Sequence, residues 1–269
     1  MFMMPETDSP FDLLASDYDD AFTYSEIGKL QRGKVWEYLD SLSLSSASVL
    51  ELNCGTGEDA LHLAQKGHNV IATDVSSNMI VKAEEKMKRA GAKNITFFVS
   101  DMRELKKQFS GQRFDFIFSN FGGLNCLSEN ELNALSQDLL SLLKPGGRLV
   151  LVMMSRKCVW ENFYFLLKGN FSSIFRRRKR GGIEFKAGNT ILQTYYYSPR
   201  EIMSLFGHGW QMKKQLPVGF FVPPSYLQTF FQRHPKLLRF LAAMDRHFSA
   251  FSFLADYADH FILHLEPEK

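Results

Sequence analysis

Asp74 follows Gly55 and Gly57 by about twenty residues, a spacing at which a carboxylate ending one strand can accept both hydroxyls of a ribose seated on the preceding glycine turn. The turn lies in V-L-E-L-N-C-G-T-G-E-D-A-L-H-L-A, Val49 to Ala64. Glycines there let the backbone turn sharply and approach a ligand that a side chain would hold off. The elements that must position these groups flank them. Val49, Leu50 and Leu52 read as a strand buried on both faces, and Leu61, Leu63 and Ala64 as the apolar stripe of a helix. Val70 to Thr73 repeats the strand pattern and ends on Asp74. Strand, glycine turn, helix, strand and acid in that order predict a nucleoside site.

Gly55, Gly57 and Ala60 also satisfy a loose dinucleotide fingerprint, so charge must choose the nucleoside. A dinucleotide sets its pyrophosphate on the helix N-terminus, where Glu58 and Asp59 would repel it. S-adenosylmethionine has no phosphate, and its sulfonium and ammonium tolerate neighbours such as Glu51 and Asp59. The turn suits the cationic nucleoside better.

From residue 11 to 155 the chain resembles the class I S-adenosylmethionine-dependent methyltransferases, with five segments in the family's order. E-L-N-C-G-T-G stands at the glycine-rich motif, which implies cofactor contacts from Glu51, Asn53, Cys54, Gly55, Thr56, Gly57 and Asp59. I-A-T-D-V-S-S-N-M-I places Asp74 as the ribose acid, with Val75 and Met79 beside it. Ser100, Asp101 and Met102 follow the strand Ile95 to Val99, where the family sets a side chain near the adenine amine. F-D-F-I-F-S-N-F-G-G-L-N resembles the fourth strand and its loop, with Asn120 and Phe121 at the methionine end and Asn125 facing either ligand. L-K-P-G-G-R-L-V-L-V matches the turn into the fifth strand. One departure stands out: Asn53 occupies the place of the motif's first glycine, and Asn tolerates unusual backbone angles better than most residues. The resemblance implies an α/β, Rossmann-like, doubly wound sheet of seven mostly parallel strands. Its last strand is antiparallel and inserted beside the fifth, and a helical, aromatic cover lies over the substrate.

The bulk properties fit a soluble, cytoplasmic enzyme. The chain has 269 residues, 45% of them hydrophobic, enough for one large core. No run of 18 apolar residues occurs, and Met1 to Pro10 lacks the basic and apolar regions of a leader. Cys54, Cys126 and Cys158 are scattered, which predicts reduced thiols and neither a disulfide framework nor a metal site. Residues 1–44 are expected to form a helical cap, 45–155 the cofactor-binding core, 156–198 a basic and aromatic insertion, and 199–269 the completion of the sheet with a helical cover at 222–258. In the cap, F-D-L-L-A-S-D-Y-D-D-A-F resembles the family's aromatic segment. Tyr18 either packs on the methionine part of the cofactor or is an aromatic anchor. Arg32 either pairs with the cofactor carboxylate or is a solvated arginine.

The composition changes after residue 155. Trp160 to Phe175 is crowded with aromatic and aliphatic residues and runs into R-R-R-K-R, Arg176 to Arg180. From Arg156 to Arg180 eight basic residues face one acid, Glu161, a local charge of +7 within a chain of net charge +3. Three readings stay open: a cap helix with a solvated basic loop, a lid touching substrate, or a surface for anionic lipid or nucleic acid at 160–180. Gly188 to Ser198 reads as a strand returning from this insertion, and Ser198-Pro199 with Glu201 as a helix start. Trp210 to Val222 reads as a strand interrupted at Pro217, Tyr226 to about Tyr257 as helix, and His260 to Leu265 as the last strand.

In-line displacement at a sulfonium methyl asks mainly for a nucleophile held in a dry pocket. His260, beside Asp259, is the most interesting of the seven histidines, as a base or as a half-buried structural residue, and no catalytic base is assigned. Asn120, Phe121, Gly122 and Gly123 lack the Pro-Pro-aromatic turn that grips a flipped adenine. No Asp follows the fourth strand before Asp138, which argues against magnesium chemistry. The expected reaction is methyl transfer from S-adenosylmethionine to a small or medium-sized hydrophobic acceptor, such as a natural product, lipid or quinone-like molecule. The alternatives are a nucleic-acid-binding relative that uses Arg176 to Arg180 on phosphates and has little turnover, and an NAD-dependent oxidoreductase, which Glu58 and Asp59 disfavour. Oligomeric state is left open.

Overall fold

Neighbouring strand residues enter two separate cores, which is what a sheet covered on both faces requires. The computed structural model describes residues 11–12, 15–187 and 190–268. Its strands are β1 (Ser48–Glu51), β2 (Asn69–Asp74), β3 (Ile95–Val99), β4 (Phe114–Ser119), β5 (Leu143–Met154), β6 (Ile183–Ala187), β7 (Thr190–Thr194), β8 (Trp210–Val218) and β9 (His260–Pro267). The helices are α1 (Glu26–Ser41), α2 (Glu58–Gln65), α3 (Ser77–Ala90), α4 (Leu105–Gln108), α5 (Glu129–Leu142), α6 (Val159–Leu167), α7 (Pro199–Phe206), α8 (Gln228–Gln232) and α9 (Pro235–Phe248).

Seven strands form one sheet in the order β3-β2-β1-β4-β5-β9-β8. The first five pair in parallel, and β9 lies antiparallel between β5 and β8. Leu50, Ile117, Leu149 and Leu151 join one core with α5 and α7, while Val49, Phe116, Phe118, Val150 and Val152 join the other with α1, α2 and α3. Each such fully buried side chain contributes about 1.5–3 kcal/mol over leaving it in water. The chain runs outward from β1 to β3 and then crosses back to β4, so the strand order reverses between β1 and β4. Ligands of such sheets sit at that reversal, beyond the carboxyl ends of the strands.

Local chemistry sets the helix starts. Ser76 caps α3 through the Met79 amide, and Ser128 with Glu131 forms a capping box on α5. Ser198 with Glu201 does the same on α7, where Pro199 sits in the first turn, as expected for that helix.

Two expectations need correction. Pro217 does not interrupt β8: it pairs with Phe261, and β8 is an edge strand, where a missing N–H costs the sheet nothing. The stretch from Tyr226 to Tyr257 is not one helix. It is a 3₁₀ turn at Ser225–Leu227, then α8, α9 and a second 3₁₀ turn at Ser252–Asp256, with Pro235 starting α9 afresh. The returning strand is β7, which ends at Thr194 and, among the described residues, pairs with β6 in a separate hairpin; Tyr195–Tyr197 then leaves the hairpin, and Tyr197 bridges to Ser155. Met1 to Pro10, the Leu13-Leu14 part of the aromatic segment and the Gly188 start of the returning strand lie outside the described residues.

Candidate active site

At the strand-order reversal the loops after β1 and β4 touch. The Asn53 side chain donates to the Asn120 carbonyl at 2.7 Å and accepts from the Ser119 hydroxyl. Asn53 takes a φ of 39°, so the residue in place of the motif's glycine does adopt the left-handed backbone that Asn tolerates. Its side chain fits because the facing residue is Gly123, where a Cβ would lie 2.2 Å from Asn53 Cγ. Gly55, with φ 54°, opens the other side: a Cβ there would meet only the Tyr18 ring, at 3.8 Å. The space in front of it is part of a cavity of about 620 Å³.

Asp74 closes one end of this cavity. Its carboxylate accepts from the Gly55 amide at 2.8 Å and the Ser76 amide at 3.0 Å, which uses two of its roughly four lone-pair positions. Among the described residues no side chain donates to it, which leaves it able to accept from a ribose diol. Burial pushes this carboxyl above its ordinary value, and the Ser76 and Gly55 amides oppose that rise. Val75 and Met79 line the cavity beside it, and Ser100, Asp101 and Met102 line it from the end of β3. Asp101 is held by Arg103 at 2.9 and 3.0 Å.

The opposite end is built on Asp59. It accepts from Arg32 Nη1, from Trp36 Nε1 at 2.6 Å and from Asn120 Nδ2 at 2.9 Å. Arg32 is buried, its guanidinium lies 5.1 Å from the Phe121 ring centroid, and its Nε has no partner among the described residues. It is not a solvated arginine, and it borders the cavity with Tyr18, Cys54 and Thr56. Burial pushes the half-buried Tyr18 hydroxyl up to about 12. Thr56 donates to Asp19 at 2.6 Å, and Lys86 bridges Asp19 and Glu58, tying the segment before α1 to the glycine turn.

Three of the anticipated cofactor contacts do not reach the cavity. Glu51 is buried behind its wall, with Oε2 unpartnered among the described residues and its carboxyl pushed well up by burial. Gly57 caps α2. Asn125 lines neither cavity: its amide donates to the carbonyls of Met154 and Tyr195 and accepts from the Met154 amide, so it staples the end of β5 to the segment after β7. The sequence reading missed Phe11, Arg103, Cys126, Leu127 and Met154 on the cavity wall, and Leu192 and Thr194 of β7. Position in the loop after β4 could have flagged Cys126, but nothing local marks β7.

A second cavity, of about 350 Å³, shares Tyr18, Phe121 and Met154 with the first. Phe22, Tyr196 and Tyr226 give it aromatic walls, and Glu161, Arg176, Arg177, Asp259 and His260 a polar one. Arg177 is buried and donates to Glu161 at 3.0 Å and Asp259 at 2.8 Å, so part of the supposed solvated basic loop is interior. The His260 ring stands edge-on to Phe121, with Nδ1 3.3 Å from Asp259 Oδ2, within ion-pair distance but off hydrogen-bond alignment. Burial works against Asp259 ionising, yet the His260 ring and the Arg177 guanidinium hold its carboxyl well below the usual carboxylate range. Among the described residues no cluster of acids, histidines and cysteines is arranged for a metal ion, and the three cysteines are free.

A doubly wound sheet with a glycine turn, a ribose-ready acid and a cavity at the switch point defines a nucleoside-binding α/β protein. Residues 49–147 match the family model described as a methyltransferase domain. Phosphoethanolamine N-methyltransferase 3 of Arabidopsis thaliana is 32% identical over 123 residues, 46% of this chain and 24% of that protein. The tRNA 5-carboxymethoxyuridine methyltransferase of Escherichia coli K12 is 24% identical over 219 residues, 80% of both chains. The chain spans 57% and 36% of the lengths of two other curated relatives. A solved S-adenosylmethionine-dependent methyltransferase from Clostridium acetobutylicum shares the fold with a TM-score of 0.59 and 15% identity, over 96% of this chain and 99% of that one. Residues 49–147 are a methyltransferase domain, and the fold is that of solved S-adenosylmethionine-dependent methyltransferases, whose cofactor is S-adenosylmethionine.

The chain's residues fit that cofactor: among the described residues no side chain donates to Asp74, Gly55 leaves the cradle open, and Arg32 Nε is buried with no partner. The charge argument against a pyrophosphate is weaker than the sequence implied, because Lys86 neutralises Glu58 and Arg32 neutralises Asp59.

Proposed function

We propose that this protein transfers a methyl group from S-adenosylmethionine to a small or medium-sized acceptor with a hydrophobic body, of the natural-product, lipid or quinone-like kind. The observation that carries this reading is the second cavity, which adjoins the first across Tyr18, Phe121 and Met154 and is walled by aromatic rings. Its polar wall favours an acceptor that also carries one polar group. In this reading Asp74 holds the ribose, Ser100, Asp101 and Met102 border the adenine, and Tyr18, Arg32, Asn120 and Phe121 hold the methionine end. Bound S-adenosylmethionine supplies a methyl already activated by its sulfonium. The chain then has to hold the acceptor in line and keep water out, which its aromatic walls support. His260, backed by Asp259, takes the proton of a hydroxyl or amine acceptor. Free cysteines support a reducing, cytoplasmic setting.

Calorimetric titration with S-adenosylmethionine and with NAD, repeated on Asp74→Ala, tests the cofactor half. Only the former should bind, and the variant should lose about 100-fold or more in affinity, as expected for two hydrogen bonds to a charged acceptor. Binding of NAD alone would overturn it. Transfer of labelled methyl to an extract of apolar metabolites tests the acceptor half. A second reading, an RNA acceptor, is favoured by the match to the tRNA methyltransferase over 80% of both chains. It predicts an affinity for RNA that falls steeply with salt.

A further inference from the structure

Helix α6 is inverted relative to an ordinary surface helix. Its one buried residue is an acid, Glu161, at 2% exposure, while Phe163, Leu166 and Leu167 are 50%, 51% and 70% exposed. Those three positions are spaced i, i+3 and i+4, so they share one face. The cause is the basic run that follows. Glu161 turns inward to accept from Arg176 Nε at 2.7 Å, Arg176 Nη2 at 3.1 Å and Arg177 Nε at 3.0 Å, which leaves the apolar stripe outside. Beyond the helix two more aromatic side chains are exposed, Phe171 at 70% and Phe175 at 54%. Lys168, Arg178, Lys179 and Arg180 border these side chains in the sequence, and none is in a salt bridge among the described residues. The Arg178 guanidinium rests 4.3 Å from the Phe175 ring centroid.

We propose that this face docks on an anionic lipid surface, the apolar side chains entering the headgroup boundary and the four cations meeting the headgroups. Charge selects this occupant. A two-fold contact with a second copy would bring like charges together, and RNA would satisfy the cations while leaving five large apolar side chains in water. Among the described residues no helix is long and apolar enough to cross a membrane, so the contact is with the surface. The inner side of the same segment, Glu161, Arg176 and Arg177, lines the smaller cavity, so docking would set the wall of that cavity against the lipid. The docking does not depend on methyl transfer.

The full chain is sedimented with vesicles of phosphatidylcholine alone and of phosphatidylcholine and phosphatidylglycerol in equal parts. Binding to the mixed vesicles only is expected, weakening as salt rises. Leu167→Ser/Phe171→Ser should lower the partition coefficient about tenfold or more, the scale of two lost apolar insertions. Lys179→Gln/Arg180→Gln should lower it several-fold and flatten the salt dependence. S-adenosylmethionine affinity and the thermal midpoint, measured on the same variants, should stay unchanged and report that they are folded. Four results would overturn the proposal: no sedimentation of folded protein, sedimentation indifferent to the apolar substitutions, a dimer that those substitutions split, or RNA displacing the vesicles.

Discussion

Arg32 has two tasks that a pair of substitutions can separate. It neutralises Asp59 inside the protein, and its side chain borders the larger cavity. Arg32→Met keeps much of the packing against Phe22 and Phe121 but leaves a buried carboxylate with only the neutral donors Trp36 and Asn120. Breaking one side of a buried pair costs about 3–5 kcal/mol, and the two remaining donors put this case near 3. Removing the orphaned charge with Asp59→Asn should return most of that loss, because neither charge is then left unpaired. Affinity for S-adenosylmethionine should behave differently: it should fall in Arg32→Met and stay about tenfold or more below the parent in the double variant, since no cation remains for the cofactor carboxylate. Urea unfolding and calorimetry on the four proteins of the cycle measure both. Arg32→Met within about 1 kcal/mol of the parent would refute the buried-pair reasoning. A double variant of parental affinity would remove Arg32 from the cofactor site.

Gly123→Ala would drive a methyl into Asn53, where 2.2 Å separates the atoms, so cofactor affinity should drop sharply; adding Asn53→Gly removes the obstruction and should restore it, read by calorimetry. His264 is buried against Tyr38, and burial holds it down at about 4 from an ordinary 6.5, so the unfolded chain binds the proton first as pH falls. Its contribution to stability is therefore present above pH 6.5 and lost as pH drops towards 4, about 2 kcal/mol of it between pH 7 and 5; His264→Gln should flatten that part of a urea-unfolding pH series. His260→Asn should lower kcat by about 10²-fold or more for a protonated acceptor and shift the pH–rate profile, with S-adenosylmethionine affinity nearly unchanged. An unaltered profile would leave His260 a structural residue.

The parts of the fold legible in the sequence are those whose cause is local or repeated. Strands β1, β4 and β5 are buried on both faces, so their continuous apolar runs survive any packing arrangement, and the capping box at Ser198 needs only its own neighbours. The glycine turn and Asp74 were readable because their spacing is set by one strand–helix–strand unit. What could not be read depends on partners far along the chain. Glu58 and Asp59 looked like free anions because Lys86 and Arg32, which neutralise them, stand 28 and 27 residues away. Asn125 looked like a ligand contact because the segment that uses its amide, around Tyr195, is 70 residues downstream. Arg177 looked solvated for the same reason: Asp259, its buried partner, is 82 residues away.

That last pairing decides more than the placement of one arginine. Glu161 receives Arg176 and Arg177 together, and Arg177 reaches on to Asp259, which in turn sits against His260. The two carboxylates and the two guanidiniums balance in charge, which lets Glu161, Arg177 and Asp259 lie inside, at the wall of the smaller cavity. The same balance turns the acidic face of α6 inward and its apolar face outward. The polar wall that favours an acceptor with a polar group and the outward stripe that favours a lipid surface are thus two sides of one segment. Glu161→Leu should disturb both at once, whereas Leu167→Ser should alter only the outer one.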